Sequence, residues 1–343
     1  MQEAIVRQKG ESPQAGTEPR ARERRVPLAF GPVPSRRLGR SVGINNIPPK
    51  VCSYSCVYCQ VGVTPSPRLV PRVVYPPDEV AAAVGEHVAR VRARGEQIDY
   101  LTFVPDGEPT LDAGLGRAIE LLRPLEIPVA VISNGSLAWL PEVREALRAA
   151  DWVSVKVDSV DEQVWRRVDR PASGLELSQV LDGIRALAAG FPGQLVSETM
   201  LVAGLNDQAG SVSKVGAFLR EVGISTAYLA IPTRPPAEPW VRIPDEAVVT
   251  GAYQALAAWV PQVEYLIGYE GDAFAASGDA RADLLAITAV HPLRESAVHS
   301  LLQRSGSGWE VVERLLEEEL LCAVDHEGVR FYVRRFSGLR PAA

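Results

Sequence analysis

PPKVCSYSCVYCQVG, residues 48–62, carries three of the chain's four cysteines, Cys52, Cys56 and Cys59, spaced C-x3-C-x2-C. A disulfide framework, a zinc site and an iron–sulfur cluster are the three uses such a loop can have. No apolar run in the 343 residues approaches the ~20 needed to span a bilayer. The opening MQEAIVRQKGESPQAG lacks the apolar core of a secretory signal. These features read as a soluble cytoplasmic protein, where clustered thiols are ligands more often than disulfides. Structural zinc takes four ligands, usually as two paired knuckles, and only half of that arrangement is present. Cys322 lies far along the chain and the four histidines do not cluster near the loop. Three thiolates on one tight loop fit a [4Fe–4S] cluster with one iron left open for a small ligand.

Outward from the loop, β-rich apolar runs alternate with helical spacing. SVGIN (41–45), IDYLTFV (98–104), PVAVIS (128–133), WVSVKVD (152–158), QLVSETMLV (194–202) and STAYLAI (225–231) read as strands. Between them, Val80, Val84, Val88 and Val91 recur at helical intervals. Asp112–Leu122, Leu140–Ala149, Ser178–Ala188, Ser211–Val222 and Asp245–Trp259 supply the remaining helices. Six βα units in series predict an α/β fold, a right-handed wound sheet, open or curled into a partial barrel. Its chemistry belongs at the C-terminal strand ends. The expected division is a disordered arm (1–25), a core domain (26–268), a linker (269–280), a winged helix-turn-helix domain (281–337) and a tail (338–343). The last domain is read from three short helices followed by LLCAV, the turn DHEG and VRFYVRR.

Tyr58 stands just before Cys59, and C-x3-C-x-aromatic-C after a first strand resembles the radical S-adenosylmethionine superfamily. The resemblance spans roughly residues 30–268 and implies the partial six-unit βα barrel of that superfamily. Its implied cofactors are a [4Fe–4S] cluster on Cys52, Cys56 and Cys59 and S-adenosylmethionine chelated by the open iron. Gly107-Glu108-Pro109, in PDGEPT, resembles the Gly-Glu-Pro motif that meets the methionine amino group, with Asp106 replacing a glycine. Tyr58 stands by the adenine in that comparison, and Ser133-Asn134 at a strand end resembles the ribose contact. Lys156 and Asp158, two apart on one strand, read either as a buried ion pair or as lining for the cofactor or substrate. Glu198 invites the same comparison. Lys50, two residues before Cys52, reads as a carbonyl- or carboxylate-binding catalytic group or as a counter-charge to the cluster.

GPVPSRRLGRSVGIN, SETMLVAGLND and DLLAITAVHPLRE further resemble the branch related to the wyosine-forming tRNA enzyme (4-demethylwyosine synthase-like), with a C-terminal winged helix. That enzyme has a second cluster on upstream cysteines, whereas this chain has none before Cys52. The implied reaction is reductive cleavage of S-adenosylmethionine to a 5′-deoxyadenosyl radical that abstracts hydrogen from a substrate. A flavodoxin or ferredoxin-type protein is the implied electron donor. For the substrate, a tRNA base is favoured by kinship and by the arginines at 22, 24, 25, 36, 37 and 40. A net charge of −6 and the acidic SGWEVVERLLEEEL segment oppose it. A peptide or small metabolite, with the winged helix as docking module, is the enzymatic alternative. A redox-sensing DNA-binding regulator is the non-enzymatic one.

Overall fold

Strand β5 (Trp152–Lys156) shows how the sheet is organised. Val153 and Val155 turn into the main core, while Trp152 turns to the opposite face beside Ala130, Val196, Tyr228 and Leu266. Strand side chains alternate in direction, so a sheet covered on both faces is apolar at nearly every position. The computed structural model describes residues 27–268, 271–272, 274 and 276–335. The expected arm, the tail and Arg22, Arg24 and Arg25 lie outside the described residues.

Eight strands lie side by side in chain order. They are β1 (Ala29–Ser35), β2 (Gly39–Ile44), β3 (Tyr100–Phe103), β4 (Val129–Ser133), β5, β6 (Gln194–Met200), β7 (Thr226–Ala230) and β8 (Gln262–Leu266). Only the β1–β2 pair is antiparallel; β2 through β8 run parallel. Sequential order with right-handed crossovers puts the helices on one face and leaves the other enclosed by the curling sheet. The crossovers carry α1 (Pro77–Ala93), α2 (Leu115–Leu122), α3 (Pro141–Arg148), α4 (Glu162–Val168), α5 (Leu177–Ala188), α6 (Ala209–Glu221) and α7 (Glu246–Ala257). On α1, the buried residues are Val80, Val84, Val88 and Val91, the set its periodicity predicts.

The six βα units are present, with two strands and one helix beyond the expected ones. β1 contains two prolines, which an edge strand tolerates because an unpaired side needs no N–H donor. β8 closes the other edge and buries only Leu266 fully. Seven-residue α4 spans barely two turns with only Trp165 and Val168 buried, and it starts at Asp161, whose carboxylate accepts from Gln163 N and Val164 N. Strand β5 ends at Lys156, so Asp158 sits beyond it rather than on the same strand.

The C-terminal segment forms α8 (Ala280–Ile287), β9 (Leu293–Arg294), α9 (Glu295–Arg304), α10 (Glu310–Glu317), β10 (Leu321–His326) and β11 (Val329–Arg334). Its antiparallel sheet runs β10–β11–β9, adding a short third strand to the two expected. Leu284, Ile287, Val298, Leu301, Val312 and Leu315 make its core, and Phe30 of β1 joins them. The Phe30 ring lies so close over Gly43 that a Cβ there would stand 2.1 Å from it. This unit is therefore packed on the first edge of the sheet and shares side chains with it.

Candidate functional site

Beyond β2 the chain crosses the C-terminal strand ends and enters the cysteine loop. Lys50 makes the turn at φ +62° and buries its side chain, with Nζ donating to Asp106 Oδ1 at 3.0 Å and its backbone N to Asp106 O at 2.7 Å. Val51 then pairs with Gly107, and Glu108 N donates to Val51 O at 2.9 Å. At φ +155°, a Cβ on Gly107 would stand 2.1 Å from Val51 O, so only glycine allows this approach. On the other side, Val57 N donates to Val168 O and Ala172 N to Ser53 O, fastening the loop to the end of α4. Tyr54 packs edge-on against Trp165 beneath it. A loop without regular structure is thus held by long-range backbone bonds.

Cys52, Cys56 and Cys59 line one cavity of ≈ 330 Å³. Burial pushes all three thiol pKa values up; the charge of Glu108 adds to this at Cys52 and that of Asp169 at Cys56. At Cys59 the nearby Lys50 charge pulls the other way. Bare thiolates are disfavoured here, which suits donors awaiting a cationic partner such as iron. Among the described residues, no three His, Cys, Asp or Glu side chains gather tightly enough for a single metal ion. Three soft thiol donors lining one cavity are the donor set that an iron–sulfur cluster takes. The residues present fit a three-cysteine cluster site.

The other sequence-predicted residues divide into two layers. Tyr58, Gly107 and Lys156 line the cavity with the thiols. Lys50, Glu108, Pro109, Ser133, Asn134 and Asp158 lie behind its wall. The Glu108 carboxylate is buried, and its Oε1 accepts from Thr110 N, Thr110 Oγ1 and Ser133 Oγ at 3.0, 2.6 and 2.7 Å. Its Oε2 accepts from Asn134 N at 2.7 Å, and Pro109 begins the short 3-10 turn that Glu108 caps. Burial raises the Glu108 pKa while these donors oppose the rise. Glu108, Ser133 and Asn134 therefore bind one another, tying the end of β3 to the end of β4. Asn134 Nδ2 continues to Ser53 Oγ at 2.9 Å.

Of the two readings of Lys156 and Asp158, the mutual ion pair is not formed, while Lys156 does line the cavity. Lys156 Nζ donates instead to Glu198 Oε1 at 2.8 Å, because the parallel register sets these residues side by side on β5 and β6. Arg37 completes the cluster by donating to Glu198 Oε2, with its guanidinium over the rings of Trp152 and Tyr228. Burial would raise the Glu198 pKa, but the two cations outweigh it and hold the carboxyl at about 2. For Lys156 burial acts downward and is overcome by Glu198 and Asp158, leaving its pKa raised. The Lys156 ammonium also covers the Tyr58 ring, 5.0 Å from its centroid. Asp158 accepts from the Tyr58 hydroxyl and, at 2.6 Å, from Met200 N. Asp169, which sequence reasoning missed, accepts from Cys56 Sγ at 3.3 Å. Its pKa is raised by burial and by the Asp158 charge.

Arg37 is turned inward, and Arg40 is held outside by Asp99 and Gln97. The far wall of the cavity comes from the C-terminal unit, through Val290 and His291. Gln60 joins the two parts: its Nε2 donates to Val290 O at 3.1 Å and its Oε1 accepts from Arg234 at 2.5 Å. Arg234 also meets His291 Nε2 at 3.3 Å, and burial followed by the Arg234 and Arg36 charges drives the His291 pKa far down. No local pattern in sequence announces this wall.

The family described as the Radical SAM superfamily matches residues 46–210, which contain the cysteine loop, the Gly107 turn and β3 through β6. A UPF0026 protein of Methanocaldococcus jannaschii is 40% identical over 309 residues, covering 90% of this chain and 96% of that protein. A UPF0026 protein of Helicobacter pylori is 34% identical over 212 residues, covering 61% of this chain and 67% of that one. The crystal structure of a radical SAM methyltransferase from Sphaerobacter thermophilus superposes with a TM-score of 0.50 at 15% identity, covering 66% of each chain, a likeness of fold. The three-thiol cavity at the strand ends and these matches agree: the chain is an enzyme of the radical SAM superfamily, whose cofactors are a [4Fe–4S] cluster and S-adenosylmethionine.

Proposed function

We propose that Cys52, Cys56 and Cys59 hold the cluster and that the enzyme acts on a small molecule enclosed between the barrel mouth and the C-terminal unit. A bound, reduced cluster would supply one electron to S-adenosylmethionine, breaking its sulfur–C5′ bond to give methionine and the 5′-deoxyadenosyl radical. The chain's own residues bind, orient and exclude water. Gly107 lets its turn close on Val51, which sets the Gly107 backbone in the cavity wall. Lys156, fixed by Glu198 and Tyr58, offers its remaining N–H donors to an acceptor in the cavity. Tyr58, pinned by Asp158 and covered by Lys156 on one face, is a rigid apolar wall for the adenosyl group. Glu108, Ser133 and Asn134 act one layer back by fixing the turn that presents Gly107. Lys50 neutralises Asp106 and eases the charge at Cys59; its burial behind the wall favours this over a covalent role.

The observation that carries the small-molecule reading is the presence of Val290 and His291 in the same cavity as the three thiols. A tRNA base would have to reach a cavity whose wall the C-terminal unit helps to form. Of the six arginines on that edge, Arg37 is turned inward to Glu198 and Arg40 is paired with Asp99. The α8–β9–α9–α10–β10–β11 order supports reading the unit as a winged helix, here used to close the cavity. Its α10 carries Glu310, Glu313 and Glu317 against Arg314, which disfavours a nucleic-acid groove. Anaerobically reconstituted enzyme, given S-adenosylmethionine and dithionite, is incubated either with the low-molecular-weight fraction of a deuterated cell extract or with deuterated tRNA. Mass spectrometry of 5′-deoxyadenosine should find deuterium from the small-molecule fraction. Deuterium arriving from tRNA would overturn the reading.

A further inference from the structure

We infer that the ribbon Pro65–Tyr75, which leaves the cysteine loop along the protein surface, is the docking surface for a small acidic electron-transfer protein. This rests on the cluster reading above. Val70, Val73 and Val74 are 66%, 57% and 41% exposed, three of the seven large apolar side chains exposed among the described residues. Three such residues fall within five positions; the others are Trp240, Trp259, Tyr265 and Ile267, far along the chain. Arg68 and Arg72 alternate with them and are exposed. From Val51 to Pro77 the chain contains no Asp or Glu, although the whole protein carries a net charge of −6. An apolar strip edged by arginine on an acidic molecule fits a partner with an apolar centre and an acidic rim.

The ribbon is also in the right place and firmly held. Arg68 N donates to the carbonyl of Cys52 at 2.9 Å, so the exposed strip starts one hydrogen bond from a cluster ligand. Val70 follows two residues later, within ~7 Å of Arg68 even in a fully extended chain. Arg72 exchanges backbone bonds with Leu111 O and Ala113 N, which fixes the ribbon at its middle. Thr64, the residue just before the ribbon, lines the same cavity as the three thiols. The step is a one-electron transfer: the reduced carrier loses one electron and the cluster gains it, passing from the 2+ to the 1+ state.

Two reductants separate this surface from the site behind it. Dithionite is small and needs no docking surface, whereas a flavodoxin kept reduced by its NADPH-dependent reductase does. In the Arg68→Glu/Arg72→Glu protein, and separately in Val70→Ser/Val73→Ser, flavodoxin-driven formation of 5′-deoxyadenosine should fall about tenfold or more. Iron content and the dithionite-driven rate should match the unmodified protein. Flavodoxin binding by titration calorimetry should weaken in step, and the unmodified pair should lose affinity as salt rises. Unchanged flavodoxin binding and rate in both variants would overturn the inference, as would an equal loss with both reductants. Failure of the unmodified enzyme to turn over with dithionite would instead refute the cluster reading.

Discussion

The mouth of the barrel and the C-terminal unit bury their polar groups in opposite ways. At the mouth, Lys50 meets Asp106, Glu108 meets Ser133 and Asn134, and Lys156 and Arg37 meet Glu198, all across long sequence separations and away from solvent. In the C-terminal unit the ion pairs lie on the surface: Arg281 with Glu318, Arg330 with Asp325, Arg335 with Glu319. Its interior is mainly apolar, with Thr288 and Arg334 the buried polar residues. Buried charge is expensive unless paired, so a region that concentrates it is built around a chemical task. The apolar unit needs only to hold its shape and present Val290 and His291.

The contrast can be broken most sharply at the thiols. Cys56→Ala should abolish the reconstituted cluster, read as loss of bound iron and of the brown chromophore, with little change in the far-UV spectrum of the fold. Next comes the carboxylate between two cations. Glu198→Gln leaves Arg37 and Lys156 facing each other and should destabilise the fold by about 3–5 kcal/mol in urea. Glu198 also sets a pH signature. Its pKa is depressed in the fold from the ordinary 4.5 to about 2, so its stabilisation is complete above pH 4.5. That contribution should fade as pH drops from there toward about 2, and the Gln variant should lack that part of the acid transition. In the C-terminal unit, Leu301→Ala removes a fully buried side chain and should cost about 2–5 kcal/mol through the cavity it leaves. Iron content should survive, since no thiol depends on Leu301. The smallest effect is expected for Gly107→Ala, about 1–3 kcal/mol of local strain from the Cβ pressed toward Val51 O. Weaker S-adenosylmethionine binding should accompany it, measured by equilibrium dialysis of the reconstituted protein.

What could be read in the sequence follows from how local each feature is. Cys52, Cys56 and Cys59 are close neighbours in the chain, so spacing alone announces them. The valines of α1 and the six parallel strands β2 to β7 are equally local signals. β1 and β8 escape because edge strands carry proline or leave half their residues exposed. The partner of Lys156 escapes because strand register decides it: Glu198 lies opposite on β6, whereas Asp158, nearby in sequence, has already left the strand for Tyr58. Glu108 could be singled out by its motif, yet its burial among Thr110, Ser133 and Asn134 depends on two strand ends meeting. Val290 and His291 become part of the cavity only through the packing of α8 against β1, which no local pattern encodes.

The central claim is that three cysteines on this loop hold a cluster that cleaves S-adenosylmethionine. Anaerobic reconstitution with iron and sulfide, followed by S-adenosylmethionine and dithionite, tests it directly. Four irons per chain, a reduced-cluster electron paramagnetic resonance signal that changes when S-adenosylmethionine is added, and 5′-deoxyadenosine by mass spectrometry are predicted. A single bound zinc with the cofactor left intact would contradict it.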